Sequence, residues 1–285
     1  MINIKEITDL AEVYDYQMRF PAPYFFQTDF ESWKRSFDRD ADGEGRTLFR
    51  NLAAKAAYDG ETLVGFVQYG YTAFGFDDRG EITSEVSYPV IRGLYFDEGR
   101  EDAGKLLLQA ALAEFGDYCR VYAFFHYFGM SCFARHGKLF EGFPWIEAVL
   151  RQKGFQIEHE NVYYSAALTE RADSAVNLRE QGLTAGNQQI FDFLLDGRQV
   201  GGCEVHYLKS EGVAYLRWIY VNGELQSRGI GTQCMKALKA FLFQKGYVWL
   251  DTDTALNNEV AQRFYEKTGF TREGITRSYY RDKEC

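Results

Sequence analysis

The chain has 285 residues, 46% of them hydrophobic and 17% aromatic, which suits two domains with sizeable cores. Its net charge of −9 argues against a nucleic-acid binder, and no apolar run is long enough to cross a membrane. The five cysteines form no Cys-x-x-Cys pair, so neither a metal site nor a disulfide framework is indicated. Without a signal-like start, a cytoplasmic protein is expected.

The first elements are helices followed by a hairpin. Residues 5–40 favour two helices that are separated by Pro21 and Pro23. Residues 52–58 and 62–71 then have the composition of strands and flank a tight Asp-Gly turn. A second hairpin of the same design is predicted much later in the chain, from residues 190–195 and 199–208.

The second hairpin leads into a strand, a polar loop and a helix. Residues 214–221 are an apolar and aromatic strand, and a helical pattern begins at Gly229 and ends near Gly246. The first amides of a helix lack internal partners, and Gly229 and Gly231 let an anion approach them. The spacing fits neither a P-loop nor a dinucleotide fingerprint, but it predicts a cradle for a phosphate or pyrophosphate.

A further strand, 247–254, is followed by one more helix. Val260, Ala261, Phe264 and Tyr265 are expected to share a face of this helix, and Gly269 is placed to end it.

The first half of the chain has a similar plan. An offset of 125 residues aligns 91–96 with 216–221. Continued without a gap, the offset equates Glu101 with Gln226, Gly104 with Gly229, and Leu106 with Gly231. A carboxylate and a bulky side chain would then oppose an anion, so we expect the first copy to have lost this site.

The spacing of Gln226, Gly229 and Gly231, together with the segment 258–270, resembles the acetyl-CoA loop and the following helix of the GNAT superfamily of N-acetyltransferases. The resemblance is strong over residues 196–280. It implies an α/β fold of two GNAT-like domains, each with a mixed, mostly antiparallel sheet flanked by helices. Residues 1–168 would form a degenerate domain without CoA, and residues 169–285 a domain with an acetyl-CoA site.

The resemblance also implies site residues, with acetyl-CoA as co-substrate and no metal. Tyr265 would be the general acid that protonates the leaving thiolate, since a tyrosine hydroxyl can donate a proton at neutral pH. The expected cofactor contacts are Tyr220, Val221, Gln226, Ser227, Arg228, Gly229, Ile230, Gly231, Thr232, Asn258 and Tyr265.

The general base cannot be carried over from the family. Many members have a glutamate on the strand before the loop, where this chain has Tyr215 and Arg217. A carboxylate that is reached through water is favoured. The candidates are Glu204, which we name as the catalytic residue, His206, Asp251 and Asp253.

The expected activity is direct transfer of an acetyl group, in a ternary complex, to a primary amine of a small molecule or peptide. Two alternatives stay open: a non-catalytic acyl-CoA-binding or regulatory protein, and an acyl or aminoacyl transferase like the tandem GNAT enzymes of thiol biosynthesis. A monomer or homodimer without nucleic-acid or membrane partners is expected.

The second half has only about 25 residues, 169–193, where the first half has helices. We therefore expect the first half to help shape the acceptor pocket, although it could serve only as a scaffold. Its candidates for acceptor contact are Tyr24, Phe25, His126 and His136. Cys132 and His136 could form a nucleophile pair, but an ordered segment with buried aromatics is the favoured interpretation of the insert 126–143.

Overall fold

A computed structural model describes residues 1–26, 28–134, 136–169, 174–184, 186–208 and 212–282. The chain forms two compact units. The first contains Met1–Asp42, Arg46–Glu160 and the chain from Thr276, and the second contains Gly43–Gly45 and Asn161–Ile275. The sequence suggested a boundary between residues 168 and 169, whereas in the structure each unit includes a segment from the other half of the chain.

The first unit is built from helices and short and long strands. Its elements are β1 (Ile2–Glu6), α1 (Leu10–Gln17), α2 (Phe30–Arg35), β2 (Phe49–Asp59), β3 (Thr62–Thr72), β4 (Gly75–Phe76), β5 (Ile82–Thr83), β6 (Pro89–Phe96), α3 (Glu101–Glu114), β7 (Arg120–Ala123), β8 (Leu139–Phe140), α4 (Pro144–Gln152) and the start of β9 (Gln156–Ala167). The two helices expected within residues 5–40 are present as α1 and α2.

The second unit contains the end of β9 and the remaining elements. These are β10 (Val176–Leu183), β11 (Gln188–Leu195), β12 (Arg198–Leu208), β13 (Val213–Val221), α5 (Ile230–Gln244), β14 (Trp249–Ala255), α6 (Glu259–Lys267) and the start of β15 (Thr271–Asp282). The hairpin β11–β12 turns through Asp196 and Gly197, both with positive φ, as a two-residue turn with right-handed twist requires. β10 precedes the hairpin β11–β12, at the place in the chain where the first unit has α1 and α2 before its hairpin β2–β3.

Each unit has a mixed and mostly antiparallel sheet, which confirms the predicted fold class. In the first unit the order is β1-β2-β3-β6-β7-β15, the last strand contributing residues from Thr276 onward, and of the strand pairs described in this order only β6 and β7 are parallel. In the second unit the order is β10-β11-β12-β13-β14-β9, the last contributing residues from Asn161 onward, and of its described pairs only β13 and β14 are parallel.

The core of the second unit lies between one face of its sheet and the helices. Leu216 and Leu250 from the sheet pack in one cluster with Met235 and Leu238 of α5 and Tyr265 of α6. Because side chains alternate along a strand, neighbouring residues such as Tyr215 and Asp251 point to the opposite face. We call these two sides the helix face and the open face, the second name meaning only that α5 and α6 pack on the other side.

The two units differ in the length of one loop, which connects β6 to α3 in the first unit and β13 to α5 in the second. Four residues, 97–100, separate β6 from α3, whereas eight, 222–229, separate β13 from α5. The ungapped alignment, which equated Glu101 with Gln226, Gly104 with Gly229, and Leu106 with Gly231, is therefore wrong beyond the strand. The starts of the helices equate Glu101 with Ile230 instead. The loop of the first unit is therefore half as long as that of the second, so the two loops differ in length and not only in their side chains.

Candidate functional site

The second unit has an opening between its two parallel strands. The ladder between β13 and β14 runs from Val213 and Trp249 to Leu216 and Thr252. Both strands continue, but among the described residues no further pair joins them, so the main chain of 218–221 has no strand beside it on this side. Backbone donors and acceptors at such an edge can bind an extended ligand as an added strand would.

A β-bulge marks the position where the strands part. The register between β12 and β13 shifts between the pair of Glu204 with Trp218 and the pair of Val205 with Leu216, which leaves Arg217 as the extra residue. A bulge increases local twist and re-aims the side chains that follow it. The bulge therefore accounts for the separation of β13 from β14.

Gln226, one of the residues predicted to contact the cofactor, holds the loop after β13 in place. Gln226 donates from Nε2 to the carbonyl oxygen of Val221 at 2.9 Å, and the Asn222 amide donates to Val200 at 2.9 Å. Ser227 and Gly229 both have positive φ, of 61° and 80°. The Gln226 side chain thus ties the loop to the end of the strand.

The helix α5 begins with groups that suit an anion. Gly229 is its first flanking residue, and no side chain caps the helix. A Cβ on Gly229 would meet nothing within 4 Å, whereas a Cβ on Gly231 would lie 3.2 Å from Phe264 and 3.7 Å from Val221. Gly229 is therefore required by its backbone conformation, and Gly231 by close packing. The uncapped amides at this end carry partial positive charge. Ile230 and Thr232 lie in this first turn, and Ser227 and Arg228 are exposed in the loop.

Tyr265 lies at the point where the two strands separate. Its hydroxyl is 3.5 Å from Thr252 Oγ1, and Thr252 Oγ1 donates to the carbonyl oxygen of Leu216 at 2.9 Å. Leu216 and Thr252 form the last pair of the ladder. Tyr265 is only 6% exposed, and burial raises the pKa of its hydroxyl, so the group keeps its proton. Asn258 caps α6 by accepting from the Ala261 amide at 3.2 Å.

The open face at the same position carries a cluster of buried polar groups. Asp251 is 3% exposed and accepts from Tyr163 at 2.9 Å and from Ser165 at 2.6 Å. Burial raises the pKa of Asp251 to about 6, although the two hydrogen bonds act in the opposite direction. Asp253 is the first residue of β14 beyond the ladder, and it accepts from the hydroxyl of Tyr215 and from Nδ2 of Asn161.

The other base candidates lie on β12. Glu204 is paired through Oε1 with Arg217 at 3.2 Å and accepts through Oε2 from Trp218 Nε1 at 2.8 Å. Both of its oxygens are therefore engaged. His206 is buried and lies opposite Tyr215 in the ladder. The sequence placed these residues on one face correctly but contained no signal that Glu204 would be neutralised by the bulged Arg217.

In the first unit, a side chain of the protein covers the end of β6, the strand that corresponds to β13. Trp145 donates from Nε1 to the carbonyl oxygen of Phe96, the last residue of β6, at 2.9 Å. Phe96 is fully buried against Gly104, where a Cβ would lie 2.4 Å from the ring. Protein atoms therefore occupy this end of β6.

The insert of the first unit is an ordered segment of buried aromatics. Burial raises the pKa of Cys132 to about 12, so a thiolate is disfavoured there and a nucleophile pair with His136 is not supported. Tyr24 donates to the carbonyl oxygen of Lys138 at 2.6 Å and stacks on His136 at 4.1 Å between ring centres. Both rings lie inside the first unit. Phe25 stacks on Phe133, and His126 lies beside Glu158.

Metal and membrane features are absent from the part of the chain that the structure describes. No group of three or more His, Cys, Asp or Glu residues there could hold a metal ion. No helix in that part is long and apolar enough to span a bilayer. Four cysteines, 119, 132, 203 and 234, are free thiols, and Cys285 lies outside the described residues.

Comparisons with known proteins point to one family. Residues 155–270 match the model of the Acetyltransferase (GNAT) family. No curated protein matches the sequence. A tandem GNAT protein from the clavulanic acid biosynthesis pathway has a similar fold, with a TM-score of 0.66 and 12% identity, over 99% of this chain and 98% of that one.

Two further solved structures share the fold. The GCN5-related glucosamine N-acetyltransferase region of a fungal multi-domain GH3 β-N-acetylglucosaminidase gives a TM-score of 0.64 at 13% identity. The match covers 98% of this chain but only 38% of that protein. A GCN5-related N-acetyltransferase from Sphaerobacter thermophilus gives 0.58 at 8% identity, over 99% and 95% of the two chains. At these identities the similarity concerns the fold.

Proposed function

Given that the chain is a tandem GNAT-like protein whose second half carries the family domain, we propose that it transfers an acetyl group from acetyl-CoA to a primary amine, directly within a ternary complex. The observation that carries the proposal is the opening between β13 and β14, which has the Tyr265 hydroxyl at its closed end and an uncapped helix beside it. These three features supply what the reaction needs: a channel for an extended thioester, a proton donor and an anion site.

The second unit would hold acetyl-CoA by its backbone. The diphosphate is proposed to bind the first amides of α5, where Gly229 and Gly231 keep side chains away. The extended arm would then follow the edge of β13 at 218–221. The Val221 carbonyl already accepts from Gln226, so the amides of this edge and its other carbonyls are the groups proposed for the cofactor.

Tyr265 is proposed as the general acid. Its hydroxyl lies on the helix face of the last ladder pair, and burial keeps it protonated. It can therefore donate to the departing thiolate at neutral pH. Thr252, which bonds both Leu216 and Tyr265, would fix the position of the hydroxyl.

Asp253 is proposed as the carboxylate that receives the proton of the amine. An amine is protonated at neutral pH and must lose a proton before it attacks. The helix face of the opening is filled by the core, so the amine would approach from the open face. Asp253 lies there directly beyond the ladder and accepts from the neutral groups of Tyr215 and Asn161, whereas the carboxylate of Glu204 is paired with the guanidinium of Arg217. This geometry favours Asp253 over Glu204.

The cofactor assignment is tested with a pair of variants that differ only in charge. Asp and Asn both tolerate positive φ, and a side chain at Gly229 meets nothing within 4 Å, so Gly229→Asp and Gly229→Asn should fold equally well. A carboxylate about 4 Å from a phosphate costs about 1 kcal/mol in water and about 4 kcal/mol near a protein surface. We therefore expect the Kd for CoA, measured by calorimetry, to be at least about fivefold higher for the Asp variant.

Turnover is tested by acetyl-CoA-dependent thiol release with a panel of primary amines. Amine-dependent release supports an enzyme. CoA binding at one site per chain without any amine-dependent release would instead support the non-catalytic alternative. Equal CoA affinity in the two Gly229 variants would move the cofactor away from this loop.

A further inference from the structure

We infer that the acceptor amine carries a ring with an apolar face, and that this ring stacks on an aromatic corner formed by Trp218 and Tyr220 on the open face of the second unit. The inference rests on the proposed function and specifies its substrate class. The shared chemistry is a ring with an apolar face, which an aryl group or a sugar can supply.

The bulge at Arg217 places both rings on the open face. Leu216 packs in the core on the helix face, and in a regular strand residues 218 and 220 would follow it there. The extra residue reverses the alternation, so Trp218 pairs with Glu204 and Tyr220 with Gly202, on the side of Tyr215. Two aromatic side chains are thereby directed away from the core, where they lie 37% and 46% exposed.

The corner is held in place without any ligand. Trp218 donates from Nε1 to Glu204 at 2.8 Å, which fixes one edge of the indole and leaves its surface accessible. Tyr220 lies across Gly202, where a Cβ would come within 3.1 Å of the ring. The ring centres are 5.9 Å apart and their planes are inclined by 34°. A preorganised pair of this kind loses little entropy when a third ring stacks on it.

The corner lies at the distance that a short amine requires. The bulge sets two residues of β13 opposite one of β12, so Trp218 lies between about 3 and 7 Å along β13 from Leu216, where the opening begins. An amine held beside Asp253 at that point would carry its ring over Trp218 if no more than two carbon atoms separate the amine nitrogen from the ring.

The charges beside the corner balance one another. The carboxylate beside Trp218 is that of Glu204, and it is paired with the guanidinium of Arg217 at 3.2 Å. The surface that the corner offers to an acceptor is therefore that of its two rings.

The test compares amines in matched pairs: 2-phenylethylamine against butylamine, and glucosamine against ethanolamine. For each pair, kcat/KM is measured for the intact protein and for Trp218→Leu, Trp218→Phe and Trp249→Leu. Trp249 is a matched control because it is 46% exposed and lies at the start of β14, at the opposite end of the ladder. We expect the preference for the ring amine to fall about tenfold in Trp218→Leu, to be partly restored in Trp218→Phe, and to stay unchanged in Trp249→Leu.

The two pairs distinguish the source of the ring, since a preference in only one of them identifies an aryl or a sugar acceptor. An unchanged preference in Trp218→Leu, or an equal loss in Trp249→Leu, overturns the inference. Calorimetry of the same amines with the CoA-loaded protein separates this inference from the proposed function. Ring-dependent binding without turnover would refute only the transferase, and turnover without a ring preference would refute only the corner.

Discussion

Replacing the buried carboxylate of Asp251 by an amide should make the protein more stable at neutral pH. The side chain is 3% exposed, and the residues that contact it donate hydrogen bonds but bring no positive charge: Tyr163 at 2.9 Å and Ser165 at 2.6 Å. In Asp251→Asn the amide oxygen can still accept from Ser165, and the amide nitrogen can donate to Tyr163. The variant therefore removes a charge and keeps the shape of the site and both contacts, with Tyr163 now accepting a hydrogen bond where it donated one.

The pKa of Asp251 determines the size and the pH range of this effect. Its pKa is raised from 3.8 to about 6, because burial disfavours the charged form. The folded state thus holds a proton that the unfolded state releases, and the free energy of unfolding falls as pH rises from about 4 to 6. A shift of about two units corresponds to about 3 kcal/mol, which is the full penalty above pH 6.

Urea unfolding of the wild type and Asp251→Asn at pH 4 to 8 measures the effect. We expect the variant to match the wild type near pH 4 and to exceed it by about 1–3 kcal/mol at pH 8. Asp192→Asn is the matched control, since Asp192 is also buried but is paired with Arg179 at 2.6 Å, and its loss should destabilise the protein. A difference between wild type and Asp251→Asn that does not vary with pH would show that this carboxylate is not strained by burial.

Three other predictions concern the proposed general acid, the glycines of the loop and the cysteines. Tyr265→Phe should lower kcat about 100-fold or more while CoA affinity stays constant, because it removes a proton donor and the weak 3.5 Å contact between the hydroxyl and Thr252 Oγ1. An unchanged kcat would show that Tyr265 serves only in the core. Gly229→Ala should lower the free energy of unfolding by about 1–2 kcal/mol, because Gly229 has a φ of 80°. Gly231→Ala should change it by less than about 1 kcal/mol, because the better helix propensity of alanine offsets the 3.2 Å approach of its Cβ to Phe264. A larger loss of stability in Gly231→Ala than in Gly229→Ala, measured by urea unfolding, would contradict these roles. Peptide mapping after brief alkylation of the native protein should find Cys119 modified and Cys132 intact, as one is exposed and the pKa of the other is raised by burial; rapid labelling of Cys132 would argue for an accessible thiolate.

The rise of the Asp251 pKa also bears on why the residue is there. A carboxylate that destabilises the fold at neutral pH is expected where function requires it. Asp251 lies one ladder pair before the opening and on the same face of β14 as Asp253. We therefore expect Asp251→Asn to lower amine turnover while it raises stability, and the same protein samples can be used for both measurements.

The sequence alone determined the elements whose cause is local. The hairpins follow from Asp-Gly turns between apolar strands, and Gly229 follows from a backbone conformation that other residues adopt at a cost. The helix that carries Tyr265 follows from its apolar face, and the duplication was visible because 91–96 and 216–221 keep the same pattern. These features depend on neighbours within a few residues, so a single sequence contains the information for them.

Only the tertiary structure decided the features that depend on distant partners. The ladder between β13 and β14 ends at Leu216, and the bulge at Arg217 turns Trp218 outward, because of the register with β12, which no local pattern specifies. The missing half of the first loop became visible only when the starts of α3 and α5 were known. The raised pKa of Asp251 likewise comes from burial in the folded chain, and the residues that donate to it, Tyr163 and Ser165, are more than 80 residues away. Register, burial and charge pairing arise where separate segments meet, and so the chain in isolation could name the candidate residues but not rank them.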